Sequence, residues 1–187
     1  MARLNISLTN EMAKKIQDIA ESDGKTISSL VTESVNIYMK LRETGLSKDQ
    51  LLKMLKFQEL TKAMSAVPVP SLLLDLNINM ALQASQEKTL ELWAERGKVI
   101  GELLKSISPD LTELSKEIKE YSDLIPLDSV DLKVEGNNVE LMLVGTGFSI
   151  GASSVTAAGM KGFLEVYGIK NLKETISEGF VKITGSI

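Results

Sequence analysis

Residues 3–8, Arg-Leu-Asn-Ile-Ser-Leu, alternate polar and apolar side chains with the period of two that marks a half-buried strand. The next alternating text lies more than one hundred residues further on. A strand without a neighbour leaves backbone donors and acceptors unpaired on both edges, and each such group that is buried costs about 1–3 kcal/mol. A partner strand is therefore required. The C-terminal alternating segments are one source and a second copy of the same residues is the other. Two short helical patterns follow at once, with apolar faces too small to close a core alone, so pairing with a second copy across a twofold axis is the economical solution.

The helical patterns carry clear punctuation. Thr9 is a candidate N-cap ahead of Met12, Ile16 and Ile19, and Ser22-Asp23-Gly24 ends that helix with turn chemistry. Thr26 caps a second helix with Leu30, Val31, Val35, Tyr38 and Leu41 along one side. Ser47 and Gln50 have capping-box spacing before a third, which carries Leu51, Met54, Phe57, Leu60 and Met64. Pro68 and Pro70 then forbid a continuous helix and place a domain boundary near residues 66–70.

Residues 71–106 read mostly as helix, with Leu90, Trp93, Ala94, Gly97, Ile100 and Leu104 on one face; Ser108-Pro109 restarts a further helix through Leu111, Leu114, Ile118 and Tyr121. The period then changes to two. Asp128–Gly145 reads as two strands joined through Gly136-Asn137-Asn138, and residues 154–167 as a helix ended by Gly168. Two more alternating segments, 171–176 and 180–185, complete an α+β unit. The expected fold is mainly α with an α+β C-terminal part. It divides into an N-terminal strand-helix-helix at 1–43, a connecting helix and Pro-containing linker at 44–70, and a helical and antiparallel-sheet domain at 71–187.

Composition removes several chemistries. The 187 residues include no Cys and no His, so disulfides, thiol nucleophiles, imidazole bases and Cys or His metal sites are excluded. No catalytic constellation, metal site or cofactor is expected. No apolar run has the length of a membrane span and none of signal-peptide type opens the chain, so a cytoplasmic protein without a membrane partner is expected. The net charge of −4 divides unevenly: residues 1–65 hold ten Lys/Arg against eight Asp/Glu, and the remainder eleven against seventeen. The first part is slightly basic and the acidity sits in the second.

Strand RLNISLT, helix NEMAKKIQDIAES, the turn at Gly24 and helix TISSLVTESVNIYMKL together resemble the ribbon-helix-helix transcription factors. The resemblance covers about residues 2–43. It implies a homodimer or higher homo-oligomer that lays a two-stranded ribbon in the major groove of double-stranded DNA, with Arg3, Asn5 and Ser7 at the base-reading positions. The chemistry of these side chains suits base reading, since Arg pairs with two guanine acceptors, Asn with the adenine edge, and Ser with several edges. Lys25, Thr26, Ile27, Ser28 and Ser29, at the start of the second helix, would hold a phosphate against its free N–H groups, although ordinary N-capping accounts for the same residues. Residues 1–43 carry six Lys/Arg and six Asp/Glu, so a modest affinity per site is expected.

The C-terminal part is too regularly patterned for a disordered tail and is expected to sense an effector or to drive assembly. Gly145, Gly147 and Gly151 give a loop that reads either as an anion cradle or as a flexible connection. Trp93, Gly97, Gly101 and Tyr121 mark either tight helix packing or a ligand pocket for a small-molecule effector. Residues 133–187 are faintly similar in glycine and aromatic spacing to the 4-vinyl-reductase-like small-molecule-binding domains, without the cysteines common there. The resulting expectation is a sequence-specific regulator of transcription, a repressor by occlusion, and not an enzyme. The alternative is an antitoxin-like protein that binds a protein partner and regulates its own gene.

Overall fold

The computed structural model describes residues 5–125 and 127–187. It forms two compact units, one ending at Lys53 and the other spanning Met54–Ile187. The chain is mostly helical with a C-terminal four-stranded antiparallel sheet, an α+β arrangement. Among the described residues no helix is long and apolar enough to cross a membrane.

The first unit contains α1 (Asn10–Ser22), α2 (Ile27–Glu43) and the start of α3 (Lys48–Ala63), within which the division between units falls. The caps form as their residue types dictate. The Thr9 hydroxyl accepts the Met12 N–H and the Thr26 hydroxyl accepts the Ser29 N–H, while Ser47 and Gln50 exchange hydrogen bonds of 2.8 and 3.1 Å. Gly24, at φ +62°, reverses the chain between α1 and α2 at no steric cost. Among the described residues of this unit only Ala20 is buried, and Ile6, Met12, Ile19, Val35 and Tyr38 all lie exposed.

The expected ribbon is not what these residues form. Asn5–Thr9 make no strand, and Arg3 and Leu4 lie outside the described residues. Among the described residues no strand bonds to this segment, and Ile6 and Leu8 are 64% and 44% exposed instead of covering a core. The segment read as a strand is instead a coil leading into α1.

In the second unit α3 is followed by α4 (Ser71–Ala84), α5 (Gln86–Ile107), α6 (Leu111–Tyr121), β1 (Ser129–Glu135), β2 (Asn138–Val144), α7 (Ile150–Val166), β3 (Lys170–Ser177) and β4 (Phe180–Ser186). The sheet runs β1-β2-β4-β3, antiparallel throughout. Between β1 and β2, Glu135 pairs with Asn138 across the two-residue turn Gly136-Asn137. Only the first of these has positive φ, the signature of a type II′ turn.

One sheet face is apolar. Leu132, Leu141 and Ile183 stand in register across β1, β2 and β4, flanked by Val139, Leu143 and Val181, and all six are buried. The opposite face carries Asp131, Lys133, Glu140 and Lys182, with Lys182 bridging Glu140 at 2.7 Å. α6 packs Leu111 and Leu114 against the β1 side of the apolar face, and α7 packs Leu164 and Ala157 over β3 and β4. The other side of α7 lies against α5 and α4.

That crossing of α5 and α7 is built from absent side chains. A Cβ on Gly97 would stand 1.8 Å from the Gly159 carbonyl oxygen, and one on Gly162 would stand 2.1 Å from that of Ala94. Backbone meets backbone there. The helical text from 71 to 106 is interrupted at Ser85, where neither Gly nor Pro announces a break. The Thr89 hydroxyl, itself buried, bonds the Ser85 and Ala81 carbonyls at 2.7 and 3.0 Å and so satisfies the end of α4.

Candidate functional site

α4 is apolar nearly all round, and its sequence SLLLDLNINMALQA carries one charge, Asp75. Leu72, Leu76 and Met80 point outward and are exposed, whereas Ile78 is buried toward α7 and α5. Asp75 shares the inward side and meets the N-terminus of α7. The Ser149 hydroxyl donates to Asp75 Oδ1 at 2.5 Å and accepts the Ala152 N–H at 3.1 Å, which makes Ser149 the N-cap of α7. Asn79 Nδ2, one turn along α4, donates to Asp75 Oδ2 and to Ser149 Oγ, both at 3.2 Å. A carboxylate against a helix N-terminus is electrostatically favourable, and here it also ties two helices together.

Beside this network lies a cavity of about 260 Å³. Leu74, Asp75 and Ile78 of α4 form one wall, Trp93 of α5 another, and Phe148 with Ala152 and Thr156 at the start of α7 a third. Two aromatic rings and aliphatic side chains thus line a space with one charged group, the Asp75 carboxylate, and the hydroxyl side chains Ser71 and Thr156. A Cβ at the adjoining residue 151 would stand 2.3 Å from Asn79 Oδ1, so a side chain there would displace the Asn79 amide from this network.

The residues singled out from sequence fall in several places. Trp93 lines this cavity, while Gly97 and Gly101 lie one and two turns along α5, buried where it crosses α7. Tyr121 lines a second, almost wholly apolar cavity of about 310 Å³ with Phe57, Leu60, Leu104 and Ile107. Lys56 Nζ stands 5.4 Å from the centre of the Tyr121 ring. A hydrogen bond to the Tyr121 side chain raises the Lys56 pKa above the ordinary lysine value.

In the first unit Asn5 and Ser7 are exposed in coil. Lys25 Nζ is held by Glu33 at 2.7 Å and Asp23 at 3.6 Å, and the hydrogen bond to Glu33 raises its pKa. Thr26 caps α2 through Ser29, and Ile27 and Ser28 form its first turn. Asp75, Phe148 and Ser149 were missed by sequence reasoning. The signal that could have found them is a lone carboxylate within an otherwise uncharged, leucine-rich helix.

The glycine-rich loop is already occupied by an anion of the chain itself. Asp128 accepts hydrogen bonds from the Thr146 N–H at 2.6 Å and from its hydroxyl at 2.5 Å, and these bonds lower the Asp128 pKa. A group whose folded pKa is depressed contributes stability that is complete above the unfolded value near 3.9 and is lost as pH falls through the folded one. Asp128→Asn is therefore expected to lower the urea midpoint at pH 7, with the difference from wild type shrinking as the pH falls and the Asp128 carboxylate becomes protonated. A deficit that persists undiminished at the acid end would show that the charge is not what matters.

No protein-family model matches the chain, and no curated protein matches it. Solved structures do. The chain is similar to the structure titled "Probing the function of heme distortion in the H-NOX family", at 11% identity and TM-score 0.42, covering 80% of this chain and 89% of that one. It is also similar to the structure titled "Structural insights into the molecular mechanism of H-NOX activation", at 11% identity and TM-score 0.41, covering 78% and 89% of the two chains. These titles name H-NOX domains, not ribbon-helix-helix regulators or 4-vinyl-reductase-like domains, and the ribbon-helix-helix resemblance fails on the coil at Asn5–Thr9, where it requires a strand. The double-stranded DNA partner, the repressor function and the antitoxin-like alternative are given up with the ribbon-helix-helix resemblance. Haem does not follow in their place. The chain has no His or Cys, and no His, Cys, Tyr or Met lines the Trp93 cavity, so none of the usual axial ligands is available there.

Proposed function

We propose that the Met54–Ile187 unit is a small-molecule-sensing domain whose ligand occupies the Trp93–Phe148 cavity. The observation that carries this reading is the convergence of α4, α5 and the start of α7 on a concave, mainly apolar space with one charged group, the general form of a small-ligand site. We read it as a site of binding and not of catalysis. Ser149 Oγ, the hydroxyl nearest the carboxylate, already donates to Asp75 and caps α7, and the chain offers neither imidazole nor thiol as a base or nucleophile.

Trp93 is the chain's one tryptophan, so its emission reports on this cavity directly. Titration with the neutral aromatic 2-phenylethanol should change the emission to a saturating limit. Ala152→Leu places a larger side chain in the cavity and should weaken binding about tenfold or more, with thermal unfolding measured alongside to confirm folding. A response that never saturates, or that is the same in the Ala152→Leu variant, would reject the cavity as the site.

A further inference from the structure

Resting on that reading of the cavity, we infer that its ligand is a small primary or secondary amine with an apolar, aromatic-sized body, bound as the ammonium ion by Asp75. Four observations lead there. Asp75 is half-buried, and among the described residues no lysine or arginine pairs with it. Each of its oxygens accepts one hydrogen bond, from Ser149 and from Asn79, whereas an ionised carboxylate has room for about four. The same cavity holds Trp93 and Phe148, whose ring faces attract a cation and not an anion. The lining also includes Leu72, Leu74, Ile78 and Ala152, aliphatic side chains that can cover the body of such a ligand.

Carboxylate and aromatic faces favour the same sign of charge, which an alcohol or an acid of equal shape cannot exploit. An acid would meet the carboxylate as a like charge. An alcohol would make one ordinary hydrogen bond where an ammonium group makes a charge-assisted one, about twice as strong. The N-terminus of α7 accounts for the presence of a carboxylate at Ser149. It does not account for Trp93 and Phe148 in the lining of the same cavity.

The test compares two probes of one shape, 2-phenylethylamine and 2-phenylethanol, by Trp93 emission on the full chain at pH 7. The wild type should bind the amine about tenfold or more tightly than the alcohol. Asp75→Asn keeps an oxygen for the Ser149 hydroxyl and removes the charge, and it should bring the two affinities within about twofold of each other. If the alcohol binds as tightly as the amine in the wild type, or Asp75→Asn keeps the preference, the amine assignment falls and the cavity reading stands. If neither probe saturates, both fall together. The wild-type comparison decides by itself should Asp75→Asn not fold.

Discussion

Gly97→Ala is expected to cost the Met54–Ile187 unit about 3 kcal/mol or more and to lower its melting temperature by roughly 10 °C, followed through Trp93 emission. The sign is what makes the result diagnostic. In an isolated helix the same change would stabilise by about 1 kcal/mol, because alanine is the better helix former. In this fold the new methyl would stand 1.8 Å from the Gly159 carbonyl oxygen, and only moving one helix away from the other relieves that. Gly162→Ala meets Ala94 in the same manner at 2.1 Å and should behave alike. Gly159→Ala is the control: its added carbon would lie 3.4 Å from the Trp93 carbonyl oxygen, an ordinary contact, and that variant should fold normally. Equal tolerance of all three would mean that α5 and α7 do not approach as described.

Leu141→Ala should remove about 2–5 kcal/mol, measured as a lowered urea midpoint with an unchanged slope. Leu141 is 2% exposed and sits between Leu132 and Ile183, each at 0%, in the middle of the sheet. Both neighbours are fixed by strand pairing, and Leu164 of α7 belongs to the same packed cluster, so the space left by the removed carbons cannot easily close. Met142, the next residue, points to the polar face and is half-buried. Met142→Ala should cost less than about 1.5 kcal/mol. Comparable losses at the two positions would contradict the register of β2.

Much of the second unit was legible because its signals are local. The alternation of Val139, Leu141 and Leu143 gives a strand with one buried face, and Gly136-Asn137 gives its turn, before any tertiary contact is considered. The caps at Thr9, Thr26 and Ser47 were equally readable, since each depends on a side chain three residues or fewer from the N–H it serves. What could not be read was anything decided across the chain. Arg3 to Leu8 alternates like a strand, but alternation only says which faces would be buried, and Asn5–Thr9 find no bonded partner. The pairing of Asp75 with Ser149 joins residues 74 positions apart, and no spacing rule links a carboxylate on one helix to the first turn of another. Trp93, Gly97, Gly101 and Tyr121 looked like one group because α5 and α6 carry them on apolar faces; in space they occupy one cavity, a helix crossing and a second cavity.

The position of α7 bears on how the molecule breathes. Seventeen residues long, with the sheet on one side and α5 on the other, it is buried over most of the stretch from Gly151 to Leu164, while Ile150 and Glu165 at its ends are exposed. The amide hydrogens of that stretch should therefore exchange with deuterium only when the whole unit opens, and their protection factors should equal the global unfolding free energy, whereas α4, with one side in water, should exchange through smaller local fluctuations.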